Sequence, residues 1–143
     1  MSIPTLTTER HEDVSFRVCE VTQVRFDLPG TSPIAYVIDT EPPMGSIEIP
    51  LGLPEAQALA LALRQEPGTR PGTHELMTDI FAASRLDVIA ARVYARVGGV
   101  YHAQLHLMGE KGDLRFECRA SDAMILAVRS QKPVLFASAL FAS

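Results

Sequence analysis

Two short stretches of this chain combine a basic residue, a hydroxyl and an acidic residue directly ahead of an apolar run. Residues 70–76 read Arg-Pro-Gly-Thr-His-Glu-Leu, and residues 119–126 read Arg-Ala-Ser-Asp-Ala-Met-Ile-Leu. Thr73 and Ser121 are suited to cap a helix, so each stretch predicts a helix start. Because a helix start presents unpaired N–H groups and a positive dipole end, both stretches could bind an anion such as phosphate.

The first stretch adds carboxylates next to an imidazole. Glu75 and Asp79 stand four residues apart, which places them on one helix face beside His74. Such a group could hold a hard divalent cation, for example Mg²⁺, that polarises a phosphodiester. The structural alternative is that acidic residues in a first turn only stabilise the helix dipole. Glu55 has the same two interpretations at the start of an earlier helix.

The second stretch is the tighter cluster, formed by Arg119, Ser121 and Asp122. In the structural interpretation, Ser121 caps the helix and Asp122 complements its dipole. In the functional interpretation, Arg119 projects from the end of a strand toward the helix start and binds phosphate there. The chain contains no Gly-rich phosphate loop, no Gly-x-Ser-x-Gly motif and no metalloprotease histidine pair.

A third candidate is the polar face of a predicted hairpin. That face carries Arg92, Tyr94, Arg96, His102, Gln104 and His106. Cations and rings on one surface could bind nucleic acid, but the same residues are ordinary on the solvated side of an antiparallel sheet. The net charge of −4 and the pI near 5.5 favour the solvated sheet, because binding by phosphate neutralisation needs a basic surface.

Length and composition indicate one globular domain. The chain has 143 residues, 47% of them hydrophobic and 21% charged. Neither a membrane-length apolar run nor a secretory signal is visible, so we expect a cytoplasmic protein without membrane association. Cys19 and Cys118 lie far apart in no metal-binding spacing, and we expect two reduced, buried thiols.

The elements that position these residues follow from hydrophobic periodicity. Helices are predicted to start near Pro54, Thr73 and Ser121, and Leu76 and Ile80 belong to the apolar face of the second helix, opposite His74. Strands are predicted over residues 14–28, 34–38, 47–49, 89–97, 101–107, 114–118 and 133–136. The prediction is a single α+β domain over residues 14–143, with a mixed, mostly antiparallel sheet and about three helices, preceded by a flexible tail over residues 1–13.

Three local features carry finer predictions. The alternation slips near Cys19, which indicates a bulge or two short strands. A three-residue hairpin loop with a left-handed Gly99 would pair Ala95 with Tyr101 and Val93 with Ala103. The helix over residues 55–64 is apolar on nearly all sides, which predicts that it is buried in a core or in a subunit interface, and we expect the interface.

In order along the chain, these segments resemble the bifunctional nuclease domain, a bacterial family with plant relatives. The similar motifs are Ile-Pro-Leu-Gly at 49–52, Glu-Ala at 55–56, Arg-Pro at 70–71, Thr-His-Glu-Leu at 73–76, Tyr-His-Ala-Gln-Leu at 101–105, Arg119 with Ser-Asp-Ala at 121–123, and Lys-Pro-Val at 132–134. The resemblance covers residues 14–137. Gly72 and Ala120 depart from the family pattern, in which a larger apolar residue and a proline are usual.

The resemblance implies a homo-oligomeric nuclease that hydrolyses phosphodiester bonds in DNA and RNA with low sequence specificity. In that scheme Arg70, Arg119 and Ser121 would bind the substrate. Glu55, Glu75 or Asp122 would supply a base or a metal ligand, and His74 a proton donor. The alternative is a non-catalytic homo-oligomeric assembly or small-ligand-binding module, in which the same groups only cap helices and line an interface.

Overall fold

The computed structural model describes residues 15–27 and 29–141, which form a single α+β domain. The strands are β1 Phe16–Arg25, β2 Ile34–Asp39, β3 Ser46–Pro50, β4 Asp87–Val97, β5 Val100–Gly109, β6 Gly112–Arg119 and β7 Val134–Ala137. The helices are α1 Leu53–Leu63, α2 Thr73–Ala83 and α3 Ala120–Arg129, and a 3₁₀ turn covers Ser138–Phe141. The predicted fold class is therefore confirmed. The predicted tail over residues 1–13 lies outside the described residues.

The strands form one seven-stranded sheet in the order β3-β2-β1-β7-β4-β5-β6. All neighbours are antiparallel except β4 and β7, which are parallel. Strand β7 follows α3 and enters the sheet between β1 and β4. It therefore joins the first three strands and the hairpin strands into one sheet.

The three helices pack over one face of the sheet. Helix α3 lies over β4 and β5, α1 contacts α3 and β1, and α2 lies beside α3. Small buried alanines on α1 and α3 permit a close approach, and larger buried side chains fill the space between the layers: Leu59, Met124, Ile125 and Phe136. Helix α2 differs from the other two, because none of its residues is fully buried.

The slip in the first strand is a bulge. The pairing of β1 with β2 shifts between Val21 and Gln23, so Thr22 is the extra residue. The prediction of a bulge is confirmed, and β1 continues through it as one strand.

The hairpin loop was predicted wrongly. Val97 pairs with Val100, which leaves Gly98 and Gly99 as a two-residue turn, both with positive φ (58° and 81°). Val93 pairs with Ala103 as predicted, but Ala95 pairs with His102 and not with Tyr101. A bulge at Tyr94 shifts the register by one residue, which keeps the apolar face intact despite the shorter turn.

The orientation of α2 also differs from the prediction. Leu76 and Ile80, expected in the core, are 55% and 51% exposed, whereas His74 and Glu75 face inward. Met77 and Phe81, each one position further along the helix, do contact the core. The helix is rotated because its polar first turn makes specific bonds to α3 and to the preceding loop.

Neither predicted hydroxyl cap is used. Helix α2 is preceded by Gly72 and α3 by Arg119, and no side-chain cap hydrogen bond is formed at either start. Thr73 and Ser121 thus lie inside their helices, one and two positions after the cap. The backbone angles agree with this assignment, since both Gly72 and Arg119 are extended, as residues that flank a helix start must be.

Two sequence expectations concern the thiols and the membrane. Neither cysteine forms a disulfide, and burial raises the pKa of Cys19 to about 11 and that of Cys118 to about 12. Cys19 is buried as predicted, whereas Cys118 is half-buried. Across the described part of the chain, every helix is too short or too polar to cross a bilayer.

Candidate functional site

The first turns of all three helices line one cavity of about 360 Å³. Six of the seven predicted site residues meet there: Glu55, Arg70, His74, Glu75, Arg119 and Asp122. Helix starts carry positive partial charge and unpaired N–H groups, so their convergence favours an anion in the cavity. Ser121 is the exception, because it lines a neighbouring depression beside Tyr101.

Asp122 connects two elements at the centre of this site. Its Oδ2 accepts a bond from Nε of Arg119 at 2.8 Å, and its Oδ1 accepts one from Nη2 at 3.1 Å. The same Oδ1 lies 2.9 Å from Nε2 of His74. One carboxylate therefore fixes both a guanidinium and an imidazole, in a bidentate arrangement that Lys could not reproduce in place of Arg119.

These bonds keep Asp122 ionised. The hydrogen bond from His74, opposed by partial burial and reinforced by Arg119, lowers the pKa of Asp122 to about 2. An ionised carboxylate can only accept hydrogen bonds, so Nε2 of His74 carries the proton in this contact. The Nδ1 atom of His74 is consequently the ring nitrogen left for other chemistry.

Arg119 bridges two carboxylates at the mouth of the cavity. Besides Asp122, it donates from Nη1 to Oε1 of Glu55 at 3.0 Å, and its side chain remains 66% exposed. These bonds, chiefly the one with Asp122, raise the pKa of Arg119 above its ordinary value. The guanidinium is thus held in place yet open to solvent, as a residue that receives a phosphate must be.

Glu55 positions Arg119 from the opposite wall. Its second oxygen, Oε2, is buried and has no hydrogen-bond partner among the described residues. A Cβ atom on Gly52 would lie 2.7 Å from that oxygen, so glycine at this position leaves room for the Glu55 carboxylate. The predicted role of Glu55 as a base finds no direct support in this geometry, because the free oxygen faces Gly52 and not open space.

Glu75 ties the loop before α2 to the site. Its Oε1 accepts a bond from the backbone N–H of Gly68 at 3.2 Å and lies 4.0 Å from Nη2 of Arg129. Both of these partners also line the cavity. Glu75 therefore shapes the cavity wall, a role that the sequence-based assignment as a base or metal ligand did not include.

Arg129 is a site residue that the sequence patterns did not indicate. Its side chain is only 14% exposed, Nη1 donates to the carbonyl of Glu66 at 2.8 Å, and Nε is buried without a hydrogen-bond partner in the part of the chain described. In the sequence it stands in the last turn of α3, where a basic residue is expected to complement the helix dipole. Only its approach to the loop over residues 64–72 shows that it faces the cavity.

The site is not arranged as a metal centre. Within residues 15–27 and 29–141, no group of three His, Cys, Asp or Glu side chains is close enough to hold a metal ion. Glu55 and Asp122 both bond to the guanidinium of Arg119, which lies between them. A cation between these carboxylates would have to displace Arg119, so the residues as placed do not fit a divalent ion.

The polar hairpin face lies apart from this cavity, and its side chains contact one another and their neighbours in the sheet. The guanidinium of Arg92 stacks on Phe16 at 4.3 Å from the ring centre, and His106 lies 2.9 Å from Asp113. Tyr94 donates a short hydrogen bond to Glu117. Of the six residues on this face, only Arg96 and His102 are exposed, while Arg92, Tyr94 and His106 are half-buried and Gln104 is fully buried. The solvated face that the sequence favoured is therefore confirmed only at the hairpin end.

Comparison with known proteins places the chain in a family. Residues 37–143 match the bifunctional nuclease domain, and this match covers more than half of the chain. The chain therefore belongs to the bifunctional nuclease domain family, a nuclease-like class of α+β proteins. The match begins within β2 and includes every residue of the candidate site; β1 lies before it in the sequence but between β2 and β7 in the sheet.

Curated relatives of known sequence include two mycobacterial proteins. The uncharacterized protein Rv1829 of Mycobacterium tuberculosis strain H37Rv and the uncharacterized protein MT1877 of strain CDC 1551 are each 26% identical to this chain over 125 residues. The aligned region covers 85% of this chain and 72% of each relative.

Proposed function

We propose that this protein hydrolyses phosphodiester bonds in DNA and RNA at the cavity where the three helices start. The observation that carries the proposal is the bonded series His74–Asp122–Arg119, with contacts of 2.8–3.1 Å. It combines an imidazole, which can donate or accept a proton, with an exposed cation, and phosphodiester hydrolysis uses both. Membership of a nuclease-like family supports the same conclusion.

Arg119 would bind the phosphate and stabilise its developing charge. Its two carboxylate partners hold the guanidinium at the cavity mouth before substrate arrives, so little reorganisation is needed. Arg70 is exposed on the cavity rim and Arg129 lies deeper, which gives three guanidinium groups around one anion site. Three carboxylates, Glu55, Glu75 and Asp122, line the same cavity, so its formal charge is balanced, whereas the whole chain is acidic.

His74 would transfer the proton. Asp122 fixes the ring and keeps the proton on Nε2, in the manner of the carboxylate of a catalytic triad. In the step proposed, a water oxygen bonds to phosphorus and releases a proton to solvent. The bond from phosphorus to the leaving sugar oxygen breaks, and that oxygen takes a proton from Nδ1 of His74. For this step His74 starts as the imidazolium, with a proton on each ring nitrogen, and solvent restores the Nδ1 proton afterwards. Asp122 itself would be a weak base at neutral pH, because its pKa is about 2.

A divalent cation such as Mg²⁺ remains a prediction from the sequence. The placement of Glu55 and Asp122 around Arg119 argues against a metal bound by these carboxylates, and no step above is routed through one. A cation could also arrive bound to the substrate phosphate. Comparison of the cleavage activity with and without EDTA tests whether such a cation is needed.

Cleavage assays on purified protein test the proposal. Single- and double-stranded DNA and RNA should be cut by the wild type, and Arg119→Ala and His74→Ala should each lose activity by about a hundredfold. Arg85→Ala is the matched control, because Arg85 is an exposed arginine paired with a carboxylate, Glu110, outside the cavity. Equal activity in all variants, prepared identically, would indicate a contaminating nuclease and refute the proposal.

The non-catalytic alternative predicts a different result from the same preparations. A ligand-binding module would bind inorganic phosphate or a nucleotide in an Arg119-dependent manner without turnover. The three carboxylates that balance the three guanidinium groups in the cavity would suit such reversible binding.

A further inference from the structure

A second cavity, of about 450 Å³, shares a wall with the phosphate site. His74, Arg119 and Asp122 line both cavities. Beyond that wall the second cavity is apolar except for Glu117, whose carboxylate accepts a hydrogen bond from Tyr94. The cavity lies between α2, α3 and the strands β5 and β6. Its apolar lining consists of Met77, Phe81, Leu86, Leu105, Leu107, Phe116, Cys118 and Leu126.

The second cavity exists because α2 packs loosely over this part of the sheet. Met77 and Phe81 on the helix and Phe116 on β6 contact the smaller core cluster, yet each remains only half-buried. The volume falls in the range of cavities that enclose small ligands. Two aromatic rings and a flexible thioether offer faces on which a planar group can stack.

We propose that this apolar cavity holds the base of one unpaired nucleotide while its phosphate lies at Arg119. The inference rests on the function proposed above and adds a substrate class to it, namely single-stranded or locally opened nucleic acid. A nucleotide joins an anion to a flat ring through one sugar. The two adjoining cavities match this arrangement of a nucleotide. A cation lies in their shared wall, and aromatic side chains line the second cavity.

A base stacked within a duplex could not enter this cavity without leaving its neighbours. Proteins that read or process bases from single strands commonly stack the exposed base on aromatic side chains, which tolerates any base. The geometry therefore predicts low sequence specificity together with a preference for unpaired substrate. Duplexes would be cut only where they open, since extrusion of a base costs unstacking energy.

Binding measurements test the base site independently of cleavage. Titration calorimetry with the wild type should show a nucleoside monophosphate binding roughly tenfold more tightly than ribose 5-phosphate, as expected from stacking of one base. Met77→Trp, which fills the cavity, should abolish that difference. Ala82→Trp is the matched control, because Ala82 lies on the same helix, is exposed to solvent and lines neither cavity. Thermal melting of both variants establishes that they are folded.

An alkyl phosphate distinguishes a base site from a merely apolar one. Octyl phosphate carries the same anion and a comparable apolar portion but no planar ring. Binding of octyl phosphate as tightly as the nucleotide would overturn the assignment to a base.

An abasic substrate supplies a test on the unmodified protein. In a single-stranded oligonucleotide with one tetrahydrofuran residue, cleavage beside that residue should fall by about tenfold relative to the same bond in the intact oligonucleotide. Unchanged cleavage there would overturn the base site and leave the phosphodiesterase function standing. Base-dependent binding without any cleavage would support the base site and refute the hydrolytic function.

Discussion

Asp122 shows how one residue can serve several partners in the site. Its charge complements the dipole of α3, as the sequence predicts, but its two oxygens also hold Arg119 and His74. A capping role alone would not explain bonds to both side chains. Asp122 is therefore best understood as a positioning residue, while Arg119 and His74 are the groups that would contact substrate.

At this scale the first prediction concerns Arg119→Ala. Because the side chain is 66% exposed, its loss should cost at most about 1 kcal/mol of unfolding free energy. Cleavage should nevertheless fall by about a hundredfold, since a transition-state cation is removed. Melting temperature and cleavage rate measured on the same preparation provide the test. A proportional loss of both would mean that Arg119 acts through stability only.

The second prediction concerns Ser121→Ala. Since Ser121 follows the cap and makes no capping bond, the change should alter the unfolding free energy by less than about 0.5 kcal/mol. Urea denaturation measures this directly. A cost near 1 kcal/mol, the value typical of a lost N-cap, would show that the hydroxyl caps α3 after all.

The third prediction is a pH dependence centred on Asp122. Its pKa is about 2 in the folded protein against an ordinary value of 3.8, so the ionised form is favoured by folding. The resulting stability is fully present above about pH 4 and is lost as the pH falls toward 2. Urea midpoints at about pH 5, 3 and 2 should therefore converge for wild type and Asp122→Asn. A gap between the two proteins that stays constant over this range would contradict the assignment.

Asp39 contributes in the same direction. Its hydrogen bond from Arg17, at 2.7 Å, lowers the pKa of this buried carboxyl. This contribution is the same in the wild type and in Asp122→Asn. The comparison with Asp122→Asn therefore isolates the contribution of Asp122.

At the scale of elements, the hairpin between β4 and β5 shows how turn length and strand register compensate. With a two-residue turn and no bulge, apolar residues of β4 would pair with polar residues of β5. The bulge at Tyr94 shifts the register by one residue, so apolar residues again pair with apolar residues. Helix α2 shows a similar compromise, since its polar first turn bonds inward while Leu76 and Ile80 face solvent. In both elements, local preference yields to contacts made elsewhere in the fold.

The fourth prediction follows from the observed turn. Both Gly98 and Gly99 have positive φ, and a Cβ atom at either position would extend into open space, so strain and not a clash sets the cost of substitution. Gly98→Ala and Gly99→Ala should each destabilise the protein by about 1 kcal/mol, as measured by urea denaturation. A three-residue loop would instead make Gly98→Ala the milder change. A large difference between the two variants would therefore contradict the two-residue turn.

For the whole molecule, self-association remains a prediction with a more specific location. Helix α1 buries Ala56, Leu59 and Ala62 within the chain, so it needs less cover than its composition suggested. The exposed pair Leu76 and Ile80 instead forms an apolar strip on α2, and such strips commonly mark contact surfaces.

The fifth prediction tests that strip. Light scattering at micromolar concentration should detect a homo-oligomer, and Leu76→Glu should shift it toward the monomer because a charge would be buried at the interface. Val97→Glu, at the exposed hairpin end, is the control for surface charge alone. A wild-type protein that is purely monomeric would refute the prediction.

Local patterns in the sequence were enough to predict the element order, the α+β class and the polar residues at each helix start. These features depend on local periodicity and on residues such as Pro54 and Glu55, whose preferences act within one turn. The sequence also indicated Arg119 and Asp122 as a pair, because they stand three residues apart at a strand–helix junction.

Which of these groups share a site depends on long-range packing. The bond from His74 to Asp122 spans 48 residues of sequence, and that from Arg119 to Glu55 spans 64. The rotation of α2 and the cavity-facing position of Arg129 depend on the same long-range packing. Local patterns cannot specify such contacts, because they arise only when α1 and α2 pack beside α3 on one face of the sheet.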